Sequence, residues 1–280
     1  MIDTTTRPTP KKRRWLRWLN ILLVIYLLVG VAVYFLQDRL LFHPEKIAPQ
    51  TPFNFSYPFK ELNVALDNTY KINIVQFFPA DSSRKGVVLF LHGNKNNITW
   101  YAAYAPYFTR NGYEVWMIDY PGFGKSTGIL TEQKLYDFAD QLYIMAKSKY
   151  PADSIVIYGK SLGTGVAAWL ASKKSCRQLI LETPYYSMTS LAAHYIPIYP
   201  VSKIIKYKLP TYTYLNTINA PITIFHGTED KVIPYNNALQ LKEVLKSTDH
   251  FISITGGGHN NLRDNAGFVK SLDSLLQVPR

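Results

Sequence analysis

Short apolar runs alternate with amphipathic segments along most of the chain after residue 60. Eight runs are predicted to be strands: residues 61–66, 70–78, 86–93, 113–120, 154–159, 178–182, 221–227 and 251–257. The first two are adjacent and predict a β-hairpin. Helical periodicity covers residues 131–149, 162–174, 236–247 and 261–277. This alternation predicts an α/β fold with a mostly parallel eight-stranded sheet and helices on both faces.

One glycine-flanked serine lies where a predicted strand gives way to a predicted helix, in the segment SIVIYGKSLGTGVAAWL at 154–170. This order is typical of a nucleophile elbow, in which a tight turn lifts a serine hydroxyl clear of the sheet edge. Gly159 and Gly163 would let the strand and the helix approach closely, and Ser161 would adopt a strained backbone conformation. The first N–H groups of the helix would then face a developing negative charge.

A serine hydroxyl is a poor nucleophile near neutral pH, so the motif requires a base and an acid later in the chain. Asp230 follows the strand predicted at 221–227, and His259 follows the strand predicted at 251–257. Because parallel strands end at one edge of the sheet, we expect both side chains near Ser161. His259 would take the serine proton and return it to the leaving group, while Asp230 would orient the imidazole.

Acyl transfer also requires hydrogen-bond donors for an oxyanion. We expect the backbone N–H of Leu162, directly after the serine, and that of Asn94, in the loop after VVLFLHG, to form this oxyanion hole. Glu229 and Glu182 are reserve candidates for the acid, since each lies at or after the end of a predicted strand.

We expect neither a cofactor nor a metal ion. The six histidines show no ligand spacing with one another or with acidic residues, and His92 and His226 are interpreted as residues that brace loops. The single cysteine, Cys176, excludes an intramolecular disulfide and a multi-cysteine metal site, and we interpret it as structural.

The amino-terminal part of the chain has the composition of a membrane anchor. Residues 18–36 contain no charged side chain, and 19 helical residues would cover about 28 Å, close to the hydrocarbon thickness of a bilayer. This run exceeds the usual ~7–15-residue core of a cleaved signal peptide and ends without a clear small-residue cleavage site. Six basic residues precede it and two follow within twenty residues. The sequence therefore favours a single-pass anchor with a cytoplasmic amino terminus and a non-cytoplasmic main domain.

The predicted organisation has four parts: a basic cytoplasmic tail at 1–17, the anchor at 18–36, a linker at 37–59 and one large domain at 60–280. The tail contributes +5 of the formal net charge of +12, and the remaining +7 is dispersed along the chain. A nucleic-acid-binding protein would concentrate its basic residues on one face. We therefore expect no nucleic-acid partner.

Five sequence blocks carry a family resemblance: LHGNKNN, DYPGFGKSTG, YGKSLGTGVA, HGTEDKVIP and GGGHNNL occur in this order. From about residue 60 onward the chain resembles serine hydrolases of the α/β-hydrolase superfamily, specifically the membrane-anchored bud-emergence-type and serine-aminopeptidase-like group. The resemblance implies that Ser161, Asp230 and His259 match the family's nucleophile, acid and base. It also implies a loop beside the pocket, shaped by Asp119, Gly122 and Gly124. It implies no particular substrate.

In this fold, an insertion before the acid usually forms a lid over the nucleophile, and residues 184–216 occupy that place. They contain seven tyrosines and four prolines. Tyrosine rings suit a wall for acyl chains or a surface at the level of the lipid headgroups. The alternative is that they fill the lid's own small core.

Three functions remain open at this stage. The first is an anchored serine hydrolase that cleaves carboxylic esters or thioesters through an acyl-enzyme, with hydrophobic acyl groups favoured over polar ones. The second is an aminopeptidase or amidase, which needs a site for a substrate amino group that Glu182 or Glu132 would supply. The third is a catalytically silent, membrane-tethered binding module, although all three triad positions are present. The sequence leaves the oligomeric state open.

Overall fold

The structure is a computed structural model that describes residues 10–81 and 84–277. The first nine residues of the predicted basic tail and the last three of the chain lie outside the described residues. The described strands are β1 (His43–Pro44), β2 (Phe59–Ala65), β3 (Lys71–Phe77), β4 (Gly86–Leu91), β5 (Lys95–Asn96), β6 (Tyr113–Ile118), β7 (Ile155–Lys160), β8 (Gln178–Glu182), β9 (Ile222–Gly227) and β10 (His250–Ile254).

The described helices are α1 (Pro10–Leu41), α2 (Ile98–Tyr101), α3 (Ala105–Thr109), α4 (Glu132–Lys147), α5 (Leu162–Lys173), α6 (Met188–Tyr195), α7 (Val201–Ile204), α8 (Thr211–Leu215), α9 (Tyr235–Leu239) and α10 (Ala266–Gln277). Short 3₁₀ turns lie at Ala102–Tyr104, Ala152–Ser154, Gln240–Val244 and Leu262–Asp264. The helix expected at 236–247 is therefore α9 followed by a 3₁₀ turn, since the last turn of a helix often tightens in this way.

Eight of the described strands form one sheet in the order β10-β9-β8-β7-β4-β6-β3-β2. The hairpin β2–β3 and the pair β3–β6 are antiparallel, and the other pairs are parallel. The strands β4, β6, β7, β8 and β9 are buried along their whole length, as parallel strands covered on both faces must be. The predicted architecture is confirmed.

Each face of the sheet has its own apolar core. Helices α4 and α5 and the lid cover one face, with Leu135, Phe138 and Val166 fully buried. The segments α2–α3 and α10 cover the other face. Because β7, β8, β9 and β10 run parallel, the carboxyl ends of β7, β9 and β10 lie at the same end of the sheet, and loops follow each of them.

The amino-terminal helix extends beyond the predicted anchor. It runs from Pro10 to Leu41, so the first five residues of the expected linker are helical. Its stretch Arg14–Leu41 is long and apolar enough to cross a membrane, a property that a signal sequence shares. Leu22, Leu28 and Phe35 are each more than 60% exposed, so the protein itself does not cover this apolar surface.

Candidate active site

The turn between β7 and α5 has the geometry of a nucleophile elbow. Ser161 has φ +51° and ψ −117°, a backbone conformation that residues other than glycine rarely adopt. This confirms the predicted backbone strain. A Cβ atom on Gly159 would lie 2.5 Å from the carbonyl oxygen of Gly163, and one on Gly163 would lie 2.0 Å from that of Leu91. Both glycines therefore permit a close approach of helix and strands that an alanine would prevent.

The structure brings the three predicted side chains into one hydrogen-bonded chain. The Oγ of Ser161 lies 2.9 Å from Nε2 of His259, and Nδ1 of His259 lies 2.8 Å from Oδ2 of Asp230. Asp230 enters from the loop after β9, and His259 from the loop after β10. With Nδ1 donating to the carboxylate, Nε2 is left to accept a proton from the serine hydroxyl.

Asp230 is held in its ionised form. Burial alone would raise its pKa, but the hydrogen bond and charge of His259, together with the N–H groups of Ile233 and Val232, lower it below its usual value. Both N–H groups donate to Oδ1 at 2.8 Å, which leaves Oδ2 for His259. The carboxylate is thereby fixed in position and in charge beside the imidazole.

A second buried histidine lies beside this carboxylate. Nε2 of His226 donates to the carbonyl of Ile233 at 3.0 Å and lies 3.6 Å from Oδ2 of Asp230. Burial, the largest effect, lowers the pKa of His226. A neutral His226 thus supports the loop that carries Asp230, which agrees with its interpretation from the sequence as a residue that braces a loop.

Asn94 and Leu162, the expected oxyanion-hole residues, line the same cavity as Ser161. The side-chain Nδ2 of Asn94 donates to the backbone carbonyl of Leu41 at 2.5 Å, and the backbone carbonyl of Asn94 accepts from the N–H of His43 at 2.9 Å. The loop that bears Asn94 is therefore held by the end of α1, a contact that sequence reasoning did not anticipate.

His92 and Asp119 support this loop from beneath. Nδ1 of His92 donates to the carbonyl of Gly93 at 2.7 Å, and its Nε2 lies 3.4 Å from Asp119 Oδ1, which also accepts from the N–H of Ile98. Both side chains are buried. Gly124 has φ +47°, and a Cβ there would lie 1.9 Å from Asp119 Oδ2. His92 and Asp119 thus brace the loop that bears Asn94, and Gly124 allows the close approach of its own loop to Asp119.

A buried ion pair involves Lys160, the residue that precedes Ser161. Lys160 and Glu182 face each other at the ends of β7 and β8 and are 1% and 0% exposed. Nζ of Lys160 lies 2.6 Å from Glu182 Oε1 and also donates to the carbonyl of His259 at 3.1 Å. The hydroxyls of Tyr104 and Tyr158 complete the donor set of the carboxylate. Burial, followed by the charge of Glu182, raises the pKa of both phenols, which therefore stay protonated as donors.

This pair was not predicted from the sequence, although the two residues end adjacent strands and a strand alignment would have exposed it. The other carboxylates named as candidates from the sequence also have partners or face solvent. Glu132 accepts from the N–H groups of Lys208 and Leu209 and from the Tyr136 hydroxyl, and Glu229 is exposed. Among the described residues, no cluster of His, Cys, Asp and Glu could hold a metal ion. Burial raises the pKa of the free Cys176 thiol to about 12.

Ser161 opens on a cavity of about 360 Å³, within the ~300–1,000 Å³ range of small-molecule sites. Its walls are mostly aliphatic. The lid contributes Met188, Leu191 and Ile205, the loop after β9 contributes Ile233, and α1 contributes a further side. Such a cavity suits an apolar group better than a charged one.

The segment 184–216, expected to form a lid, lies between β8 and β9 and contains α6, α7 and α8. Two of its tyrosines, Tyr185 and Tyr195, line the cavity. The others pack elsewhere: Tyr186 stacks on Tyr212 at 4.3 Å, and three more contact α1, the loop before α4 or α4 itself. Two of the tyrosines therefore form part of a cavity wall, two pack on each other within the segment, and three join it to other elements.

Comparisons with known proteins agree with this architecture. A family model described as serine aminopeptidase, S33, matches residues 82–216. The alpha/beta hydrolase domain-containing protein 17C of Xenopus tropicalis is 27% identical over 194 residues, 68% of this chain and 61% of the relative. Its Mus musculus counterpart is 26% identical over 217 residues, 76% of this chain and 65% of the relative. The chain thus matches less than two thirds of these relatives' length.

Solved structures show the same fold. The esterase Pf2001 of Pyrococcus furiosus superposes with a TM-score of 0.64 at 19% identity, covering 84% of this chain and 98% of the esterase. A predicted CIB-like hydrolase from Thermoplasma acidophilum superposes with a TM-score of 0.58 at 17% identity, covering 80% and 100%. Together with the sequence matches, these structures show that the chain has the α/β-hydrolase fold and that it is similar to serine hydrolases of this fold.

Proposed function

We propose that this chain is a membrane-anchored serine hydrolase that cleaves carboxylic esters or thioesters with hydrophobic acyl groups. Residues 60–280 form its catalytic domain, residues 184–216 the lid and residues 18–36 the anchor, with the amino terminus in the cytoplasm. The observation that carries the proposal is the unbroken hydrogen-bonded chain from Ser161 through His259 to Asp230, which opens on an apolar cavity. The esterase named among the structural neighbours supports the same reaction class.

The reaction follows from this geometry. As Oγ of Ser161 bonds to the carbonyl carbon, its proton moves to Nε2 of His259 and the carbonyl electron pair moves to oxygen. The N–H groups of Leu162 and Asn94 would bind this oxyanion, each contributing about 10²–10³ in rate. Collapse of the intermediate expels the alcohol or thiol, which takes the proton from His259. Water then attacks the acyl-enzyme by the same route and releases the acid, while Asp230 stabilises the imidazolium.

An aminopeptidase is the second candidate, since the matching family model is described as a serine aminopeptidase. The two carboxylates considered for binding a substrate ammonium both have protein partners: Glu182 binds Lys160, and Glu132 caps the turn at Lys208. Because neither carboxylate is left to bind a substrate ammonium, the ester or thioester reaction is favoured. Turnover of aminoacyl amides compared with acyl esters separates the two candidates.

The test is activity-based labelling of the detergent-solubilised full chain. We expect the unmodified protein to react with a fluorophosphonate probe and to hydrolyse p-nitrophenyl esters, and Ser161→Ala to lose both activities. Ser172→Ala is the matched control, because Ser172 lies on α5 away from the cavity and donates to the carbonyl of Trp169. Equal labelling of Ser161→Ala and the control would show that the nucleophile is misassigned. Ligand binding without labelling would instead support the silent binding module.

A further inference from the structure

The end of α1 is joined to the lid by a buried glutamine. Nε2 of Gln37 donates to the carbonyl of Ile204 at 3.1 Å, and its Oε1 accepts from the N–H of Lys206 at 2.7 Å. Gln37 is 5% exposed. Nζ of Lys206 also lies 3.2 Å from the carboxylate of Asp38. The carboxyl-terminal part of α1 is therefore held to the lid by side-chain contacts from two consecutive residues, Gln37 and Asp38.

A second contact lies deeper along the helix. The rings of Tyr26 and Tyr199 stack, with centroids 4.6 Å apart and planes at 3°. The hydroxyl of Tyr26 donates to the carbonyl of Ile198 at 2.9 Å, and that of Tyr199 donates to the carbonyl of Tyr26 at 3.0 Å. A Cβ on Gly30 would lie 3.0 Å from the Tyr199 ring, so this glycine allows the ring to lie against the helix.

The position of Tyr26 sets the depth of this second contact. Tyr26 precedes Leu36, the last residue of the proposed anchor, by ten residues, or about 15 Å along a helix. A helix that spans the bilayer would hold the lid segment 196–200, IPIYP, at the depth of the lipid chains. This segment has no charged side chain, and Ile198 is 71% exposed. The hydroxyl of Tyr26 satisfies the carbonyl of Ile198, which lipid could not.

The cavity at Ser161 extends to the same helix. Val33, Leu40 and Leu41 of α1 line it together with Ile196 of the lid. At the carboxyl end of α1, the carbonyl of Leu41 accepts a hydrogen bond from the side chain of Asn94, whose backbone N–H is a proposed oxyanion donor. The wall between the bilayer side and the proposed nucleophile is therefore built partly from the anchor itself.

We propose that the acyl chain of a bilayer-embedded ester or thioester enters between α1 and the lid segment 196–200, with Val33 and Leu41 forming the wall against which it lies. This inference rests on the proposed function, because it places the acyl group at Ser161. The anchor thus serves as part of the substrate site as well as a tether.

Chain-length selectivity of the full chain in phosphatidylcholine vesicles tests the wall. Val33→Trp would fill the cavity beside the chain, and each excluded methylene costs about fourfold in binding. We expect the ratio of kcat/KM for p-nitrophenyl laurate to that for the butyrate to fall by at least about tenfold. Val31→Trp is the matched control: Val31 lies on the same helix, is 54% exposed and does not line the cavity. An unchanged ratio, or the same ratio in both variants, would overturn the inference.

A fluorescence measurement tests the membrane contact independently of activity. Cysteine replaces Ile198 in one variant and Ile129 in the other, with Cys176 changed to serine in both, and each is labelled with an NBD fluorophore. These two isoleucines are 71% and 72% exposed. We expect vesicles to shift the emission to shorter wavelength at 198 and to leave it unchanged at 129. Equal emission at the two sites would overturn the inference, even if the chain hydrolyses neither ester and the proposed function fails.

Discussion

Replacing Lys160 by methionine tests how much the buried ion pair between Lys160 and Glu182 contributes to stability. Met fills a similar volume but removes the ammonium, so the fully buried Glu182 carboxylate would keep only its two phenol donors. The carbonyl of His259 would lose a donor as well. Removing one partner of a buried pair costs about 3–5 kcal/mol, because the remaining charge is left uncompensated. For a domain of this size, that loss lowers Tm by about 6–20 °C.

The measurement is thermal unfolding of the detergent-solubilised full chain, followed by tryptophan fluorescence. Lys173→Met is the matched control, since Lys173 is exposed at the end of α5 and its loss should change stability by less than about 0.5 kcal/mol. Lys160→Met combined with Glu182→Gln should recover much of the loss, because the amide removes the unpaired charge but still accepts from the phenols. A Tm for Lys160→Met within about 4 °C of the control, or a double variant less stable than the single one, would refute the reasoning.

Two further perturbations address the elbow and the acid. Gly163→Ala should destabilise the domain by about 1–3 kcal/mol or more, because its Cβ would lie 2.0 Å from the Leu91 carbonyl oxygen; a Tm equal to that of the unmodified chain would contradict this packing. Asp230→Asn should lower kcat by about 10⁴, since the imidazole of His259 loses its orienting carboxylate. The lowered pKa of Asp230 stabilises the fold fully above the unfolded value of 3.8, and this contribution is lost as pH falls through the lower folded pKa. The Tm difference between the unmodified chain and Asp230→Asn should therefore be constant near neutral pH and shrink below about pH 4. A difference that grows below about pH 4 would contradict the lowered pKa of Asp230.

Much of the fold follows from local sequence patterns. The eight strands of the sheet lie within a few residues of the predicted runs, because period-two and fully apolar segments specify buried strands locally. The elbow is equally local, since the positive φ of Ser161 and the close contact between Gly159 and Gly163 arise within a few residues. Helix ends were less well predicted, as α1 and the segment after Tyr235 show, because the last turns depend on what they contact.

The site divides in the same way. The chain order of Ser161, Asp230 and His259, each after a strand, was sufficient to expect their convergence, since parallel strands bring their carboxyl ends to one edge. Neither the partner of Lys160 nor that of the Asn94 side chain was predicted from the sequence. These contacts join residues whose proximity depends on strand order and helix placement rather than on neighbours in the chain.

By itself the sequence determined the fold class, the strand and helix succession, the elbow and the apolar helix at the amino end, because periodicity and glycine placement act over a few residues. Only the tertiary structure decided that this helix lies against the lid and lines the cavity, since Gln37 and Tyr26 find partners about 170 residues away. Such long-range pairings are set by the packing of completed elements, and no local pattern encodes them.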